Sequence, residues 1–271
     1  MLKNGRLVSP LVDCSWLHEH LELEKLVILN ASMQPDADLF IPNSRNVDVK
    51  QKLSDVNALF PNTLPSREQF QKEVRALGIN TDSIVIVYDD KGIYWSPRVW
   101  WLFKTFGYNN VAVLNGGLPE WKKQGYTTVA FSGNRKTWND GNFVANYKPE
   151  HMRFYEDMAE ISKDETSVIL DARSEDRFCE RVPEPREGLR RGSIPNSKNL
   201  PYSTLFDGHI LKSKEALKAI FETYKLNHRT IVFSCGSGIT ACILALAADI
   251  VGYNNKAVYD GSWTEYGTLN T

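Results

Sequence analysis

Short runs of consecutive apolar residues alternate along this chain with stretches in which apolar residues recur every three or four positions. Residues 26–29, 84–88 and 111–114 in the first half, and 168–170, 231–233 and 257–259 in the second, are such runs. Unbroken Val/Ile/Leu runs of this length read as strands buried on both faces, so the pattern predicts mainly parallel sheets covered by helices on both faces, an α/β fold. The helical stretches carry start and stop signals. Ser66, followed by Glu68 and Gln69, opens a helix that runs to Gly78, a suitable residue for the left-handed turn after a helix. Ser213 opens a matching helix to Tyr224, and residues 241–251 form a third, more apolar one.

The pattern occurs twice because the sequence does. Gly107-Tyr108-Asn109-Asn110 recurs as Gly252-Tyr253-Asn254-Asn255, a shift of 145 (252 − 107), which also relates Ala112-Val113 to Ala257-Val258, Gly116 to Gly261 and Glu120 to Glu265. Ile41-Pro42-Asn43-Ser44 recurs as Ile194-Pro195-Asn196-Ser197. Two copies of one domain are therefore expected, at residues 1–132 and 150–271. Residues 133–149 between them have no sustained period and read as a linker. Trp138, Phe143 and Tyr147 would not be left in water, so this linker should wrap over the surface.

The candidate chemistry lies between the run 230–233 and the helix from Ala241, in Ser234-Cys235-Gly236-Ser237-Gly238-Ile239-Thr240. That order reads strand, tight loop, helix. A loop with two glycines that opens a helix can turn its N–H groups inward beside the positive end of the helix dipole, which suits an anion. A sulfur at Cys235 held there is favoured as the thiolate, the form that acts as a nucleophile. Aligning the copies places Asp89 where Cys235 stands and Gly92 where Gly238 stands, so the first copy has no nucleophile. A nucleotide P-loop would need a Lys after the last glycine. A cysteine phosphatase would need Arg at position 241, where this chain has Ala241.

Composition narrows the picture further. The formal net charge of −1 gives no reason to invoke nucleic acid or an anionic membrane. There is no run of 18 apolar residues for a membrane span and no secretory leader pattern at the N-terminus, so a cytosolic protein is expected. Cys14, Cys179, Cys235 and Cys242 include no Cys-x-x-Cys pair, which disfavours a zinc site and a disulfide framework; Cys242 reads as core. In the second copy Arg177 and Arg186 follow the strand ending at Asp171, and Pro183 and Pro185 stiffen the segment between them. Two guanidinium forks at that sheet edge suit a carboxylate, although loop arginines of this kind are also commonly solvated or paired with Glu184 or Asp176. Arg190 and Arg191 read as surface charge.

The loop resembles the active-site loop of the rhodanese superfamily, and Cys-Gly-Ser-Gly-Ile-Thr is similar to the version in its mercaptopyruvate sulfurtransferase branch. The similarity extends over nearly the whole chain, including residues 259–265 (Tyr-Asp-Gly-Ser-Trp-Thr-Glu). It implies two tandem rhodanese-like domains, the second catalytic, and sulfur transfer through a Cys235 persulfide. It also implies a loop cradle of Gly236, Gly238, Ile239 and Thr240, a Ser237 that donates to the substrate carbonyl or relays a proton, and substrate binding by Arg177, Arg186 and Tyr94. Tyr94-Trp95-Ser96-Pro97-Arg98 looks like the family loop that faces the site. The implied partners are a small sulfur donor, 3-mercaptopyruvate or thiosulfate, and a thiol, cyanide or thioredoxin-like acceptor, with no metal or organic cofactor. Family members that use thiosulfate usually carry basic residues directly after the cysteine, where this chain has Gly236 and Ser237. The chain also departs from the family at Asn62-Thr63, ahead of Leu64-Pro65, where a histidine is usual, and near Lys50. A non-catalytic binding module is the remaining alternative.

Overall fold

The computed structural model describes residues 2–33, 39–130, 138–226 and 228–270. They form two compact units, each built on a five-stranded parallel sheet. The strands of the first sheet are β1 (Leu11–Val12), β2 (Leu26–Asn30), β3 (Ser44–Asn46), β4 (Ile84–Tyr88) and β5 (Val111–Leu114). Those of the second are β6 (Met152–Arg153), β7 (Ser167–Asp171), β8 (Lys198–Asn199), β9 (Thr230–Ser234) and β10 (Lys256–Tyr259). The spatial orders are β3-β2-β4-β5-β1 and β8-β7-β9-β10-β6, the same topology twice. The central strands are the apolar runs read from sequence. The short outer strands carry too few residues for a periodic signal and emerge only on pairing with their neighbours.

The helices are α1 (Cys14–Glu19), α2 (Arg67–Ala76), α3 (Ser96–Thr105) and α4 (Gly117–Lys123) in the first half, and α5 (Tyr155–Ile161), α6 (Glu175–Phe178), α7 (Lys214–Glu222), α8 (Ala241–Ile250) and α9 (Ser262–Leu269) in the second. Helices α2 and α7 start as expected: Ser66 Oγ accepts from Gln69 N–H and Ser213 Oγ accepts from Ala216 N–H. Gly78, with φ of 67°, follows α2 in the left-handed region. Ala241 to Ala248 of α8 are all buried, as fits a helix that is apolar all round.

The units are not continuous in sequence. The first comprises Met1–Asp55, Leu64–Lys148 and Gly208–Leu211, and the second Val56–Thr63, Pro149–Asp207 and Lys212–Thr271. Each copy thus gives the other's unit the short segment that precedes its serine-capped helix. The part of the linker before Trp138 lies outside the described residues. From there on it follows the first unit. Gly141 N–H donates to Arg75 O, Phe143 N–H donates to Ile79 O, and the Phe143 ring is fully buried against Phe70 and Phe103.

Two expectations are corrected. The segment from Tyr94 to Arg98 is not all loop, because Ser96 to Arg98 already form the first turn of α3, with Pro97 where its missing N–H costs no bond. Arg190 is more than surface charge: its Nε donates to Gly267 O and Asn270 O at the end of α9, and its guanidinium lies 4.7 Å from the Trp263 ring.

Candidate functional site

In the second unit, Ser234 pairs in register with Asp171, so the loop after β9 and the segment after β7 leave the same edge of the sheet side by side. This is the carboxyl edge, where open parallel sheets bind ligands. Cys235 is the first residue beyond β9 and is 2 % exposed. The start of α9 clamps its loop. Trp263 N–H donates to Cys235 O at 3.0 Å, Thr264 N–H donates to Gly236 O at 2.9 Å, and the Thr264 hydroxyl donates to Gly236 O as well. Ser262 Oγ accepts from the N–H groups of Cys235 and Gly238, both at 3.1 Å, and itself donates to Tyr259 O at 2.9 Å. Its hydroxyl lies 3.9 Å from Cys235 Sγ. The N–H of Gly238, expected from sequence to serve the cradle, is thus engaged by Ser262. Trp263 is wholly buried core, and so is Cys242, whose thiol contacts Gly238 O.

The first unit shows what such a turn is built to hold. Asp89, buried at the position equivalent to Cys235, has a carboxylate whose Oδ2 accepts from the N–H groups of Tyr94, Trp95 and Ser96, each at 2.9 Å, and from Ser96 Oγ at 2.7 Å. Its Oδ1 accepts from Lys91 N–H. The N–H groups converge on an anion, and in this copy the anion is the chain's own side chain.

The copies also share an unusual backbone. Gly117 and Ser262 both have φ of 52°. A Cβ at Gly117 would lie 2.3 Å from Gly92 O and 2.5 Å from Asp89 O, so only glycine fits there. Ser262 carries a side chain in that conformation, which costs a non-glycine residue about 1–2 kcal/mol. The hydroxyl that holds two loop N–H groups compensates, at about 0.5–1.5 kcal/mol per bond. Ser262→Gly should therefore shift stability by less than about 1 kcal/mol while the loosened loop loses about tenfold in kcat/KM. Thermal melts and kinetics on the same variant check this, and undiminished kcat/KM would show that the clamp is idle.

Beyond β7, four charges form a closed network. Arg173 is wholly buried and bonds Asp171 through Nε and Nη2, Glu184 Oε1 at 2.8 Å and Gly192 O at 2.9 Å. Burial alone would lower the Arg173 pKa, and the two carboxylates more than reverse that, so it is raised. Glu184 also binds Arg177, with Oε2 at 2.5 Å from Nη2. Gly236 leaves room for this guanidinium: a Cβ at 236 would lie 3.0 Å from Arg177 Nη2. Arg186 bonds the Thr264 hydroxyl and pairs with no carboxylate among the described residues. Partial burial of its guanidinium lowers its pKa, Arg177 adds to that, and Cys235 and Glu184 oppose it. The pairing of Arg177 with Glu184, one of the two readings open from sequence, is therefore what occurs, while Arg186 keeps its charge beside the Cys235 loop.

Of the sequence-derived candidates, Cys235 to Thr240, Arg177 and Arg186 lie together in the second unit. Tyr94 lies in the first, with its N–H on Asp89 and its ring 5.1 Å from Lys91 Nζ. Lys50 is also in the first unit, 5.6 Å from the Trp95 ring. Asn62 belongs to the second and donates through Nδ2 to Ser237 Oγ at 3.1 Å and to Ser237 O at 3.3 Å. Sequence reasoning missed Ser262, Thr264 and the Asn62 contact as parts of the site, and had Glu184 only as a candidate partner for a loop arginine. The repeat carries a signal for one of them, since Ser262 stands at the position of Gly117, directly after the shared Gly116 and Gly261. Among the described residues no group of three or more His, Cys, Asp or Glu is placed to hold a metal ion, and no helix is long and apolar enough to cross a membrane.

Two parallel α/β units of one topology, with a cysteine at the strand–loop–helix turn of one and a carboxylate at that of the other, define a tandem-domain protein with its thiol in the second copy. The rhodanese-like domain profile matches residues 13–124 and 155–268, and the chain belongs to the rhodanese family. It is similar to the thiosulfate/3-mercaptopyruvate sulfurtransferase 1 (mitochondrial) of Arabidopsis thaliana, 36% identical over 96% of this chain and 76% of that protein. It is 35% identical to the 3-mercaptopyruvate sulfurtransferase of Escherichia coli K12, over 94% of each. Among solved structures SseA from Escherichia coli superposes with a TM-score of 0.82 at 31% identity, covering 94% of this chain and 99% of that one.

Proposed function

We propose that the protein is a sulfurtransferase that takes sulfur from 3-mercaptopyruvate and passes it to a thiol or cyanide through a persulfide on Cys235. The observation that carries this reading is the Arg186 guanidinium, which pairs with no carboxylate among the described residues, beside a loop whose positions 236 and 237 bring no cation. In the mechanism, Arg186 holds the donor carboxylate, while Arg177 stays paired with Glu184. The Cys235 thiolate attacks the donor sulfur, the new S–S bond forms as the C–S bond breaks, and the bonding pair leaves on carbon as the enolate of pyruvate, which takes up a proton. The persulfide then loses its own proton, and its terminal sulfur is stabilised by the N–H groups and dipole of the loop. A thiolate or cyanide attacks that outer sulfur and regenerates the Cys235 thiolate. No step draws on a metal or organic cofactor. The thiol has to remain reduced, which fits a cytosolic setting.

Thiosulfate is the alternative donor. Its sulfite end carries two negative charges toward the loop, where the guanidinium nearest Gly236 is already paired with Glu184. A helix dipole supplies only about 0.3–1 kcal/mol in ordinary settings, too little to replace two close cations. Steady-state kinetics with both donors on one preparation should give a kcat/KM at least about tenfold higher for mercaptopyruvate, or about 1.4 kcal/mol of differential transition-state binding. A preference for thiosulfate overturns this assignment.

A further inference from the structure

Asn62 has φ of 62°, a left-handed conformation that asparagine adopts more readily than most residues, and its side chain is buried. The contact with the backbone carbonyl of Ser237 settles how its amide is turned. A carbonyl only accepts, so the group facing the loop is the NH2, and the same NH2 donates to Ser237 Oγ. The Ser237 hydroxyl accepts there and cannot spend its own proton on Asn62. A primary amide neither takes up nor releases a proton in the working pH range, so nothing at this contact can turn Ser237 into a base or carry a proton away from it.

We infer that Asn62 is a positioning residue that fixes the polarity of Ser237, keeping its hydroxyl a hydrogen-bond donor to the donor's ketone oxygen as negative charge develops on that oxygen. Of the two roles that the sequence left open for Ser237, donation and proton relay, this selects donation. The inference rests on the mercaptopyruvate reading, since thiosulfate has no ketone. The half-buried Ser237 stands two residues from Cys235 in the same loop.

A double-mutant cycle on the full chain tests it. Asn62→Asp is nearly isosteric and keeps a side chain suited to positive φ, but its carboxylate accepts the Ser237 proton and withdraws the donor. It should lower kcat at saturating mercaptopyruvate about 10- to 100-fold, close to the loss from Ser237→Ala, because one oxyanion donor is worth about 10²–10³ at most. In the Ser237→Ala background the same change should leave kcat within about twofold. Thermal melts establish that each variant is folded; should Asn62→Asp fail to fold, Asn62→Ala replaces it, with a smaller loss that also disappears in the Ser237→Ala background. Equal losses with and without the Ser237 hydroxyl would mean that Asn62 only supports its turn, and would overturn the inference while wild-type activity keeps the function standing. A wild type inactive on mercaptopyruvate would overturn both.

Discussion

Cys235→Ser is expected to abolish sulfur transfer, by at least roughly 10³-fold, and to leave the melting temperature nearly unchanged. The swap is almost isosteric, and the hydroxyl fits the space of a thiol that sits at the end of β9 under the clamp of α9. A serine hydroxyl stays protonated near neutral pH, and a loop that stabilises an anion through N–H groups offers it no base to remove the proton. A thiol is far more acidic than a serine hydroxyl and its sulfur is intrinsically the better nucleophile, so cysteine depends much less on a base. Incubating the wild type with donor and no acceptor should load one sulfur, located by mass spectrometry on Cys235. Sulfur found instead on Cys14, Cys179 or Cys242 would remove the assignment. Cys14 makes an internal control: burial, reinforced by Glu120 and Asp13, pushes its thiol up to about 12, so it stays unreactive near neutral pH.

How much of this was legible beforehand follows from where the information resides. The central strands, the capped helices and the duplication were readable because each is a local pattern or a pattern compared with itself. Asp89 was placed opposite Cys235 by repeat alignment alone, and its carboxylate then displays the convergent N–H groups inferred for such a turn. The grouping of residues 56–63 with the second unit was not legible, since no local preference records which sheet a surface segment joins. The same holds for the hydroxyl of Ser262, which meets the N–H groups of Cys235 and Gly238 from 27 and 24 residues away; Glu184 was open from sequence as a partner for a loop arginine, but Arg173 as its second partner was not. Arg177 and Arg186 looked equivalent on paper. Their partners make them different.

That difference sets the second large effect. Asp171, Arg173, Glu184 and Arg177 together carry two negative and two positive charges, so the network is neutral before any substrate arrives. Among the described residues Arg186 bonds only a neutral hydroxyl and no carboxylate, so a carboxylate docked on it gains a charged hydrogen bond without displacing one of them. Losing such a bond costs on the order of 1.5–3 kcal/mol, so Arg186→Ala should lower kcat/KM for mercaptopyruvate about 10- to 150-fold with little change in melting temperature. Arg177→Ala should do the reverse. It leaves one oxygen of Glu184, a side chain only 1% exposed, without its guanidinium, and so should lower stability measurably while costing less in kcat/KM. For thiosulfate, which has no carboxylate, the Arg186 loss should be smaller than for mercaptopyruvate. Kinetics with both donors and melts on the two variants separate the cases. Equal losses for both arginines with unchanged stability would mean that Glu184 releases Arg177 to the substrate, and the neutral-network account would fail.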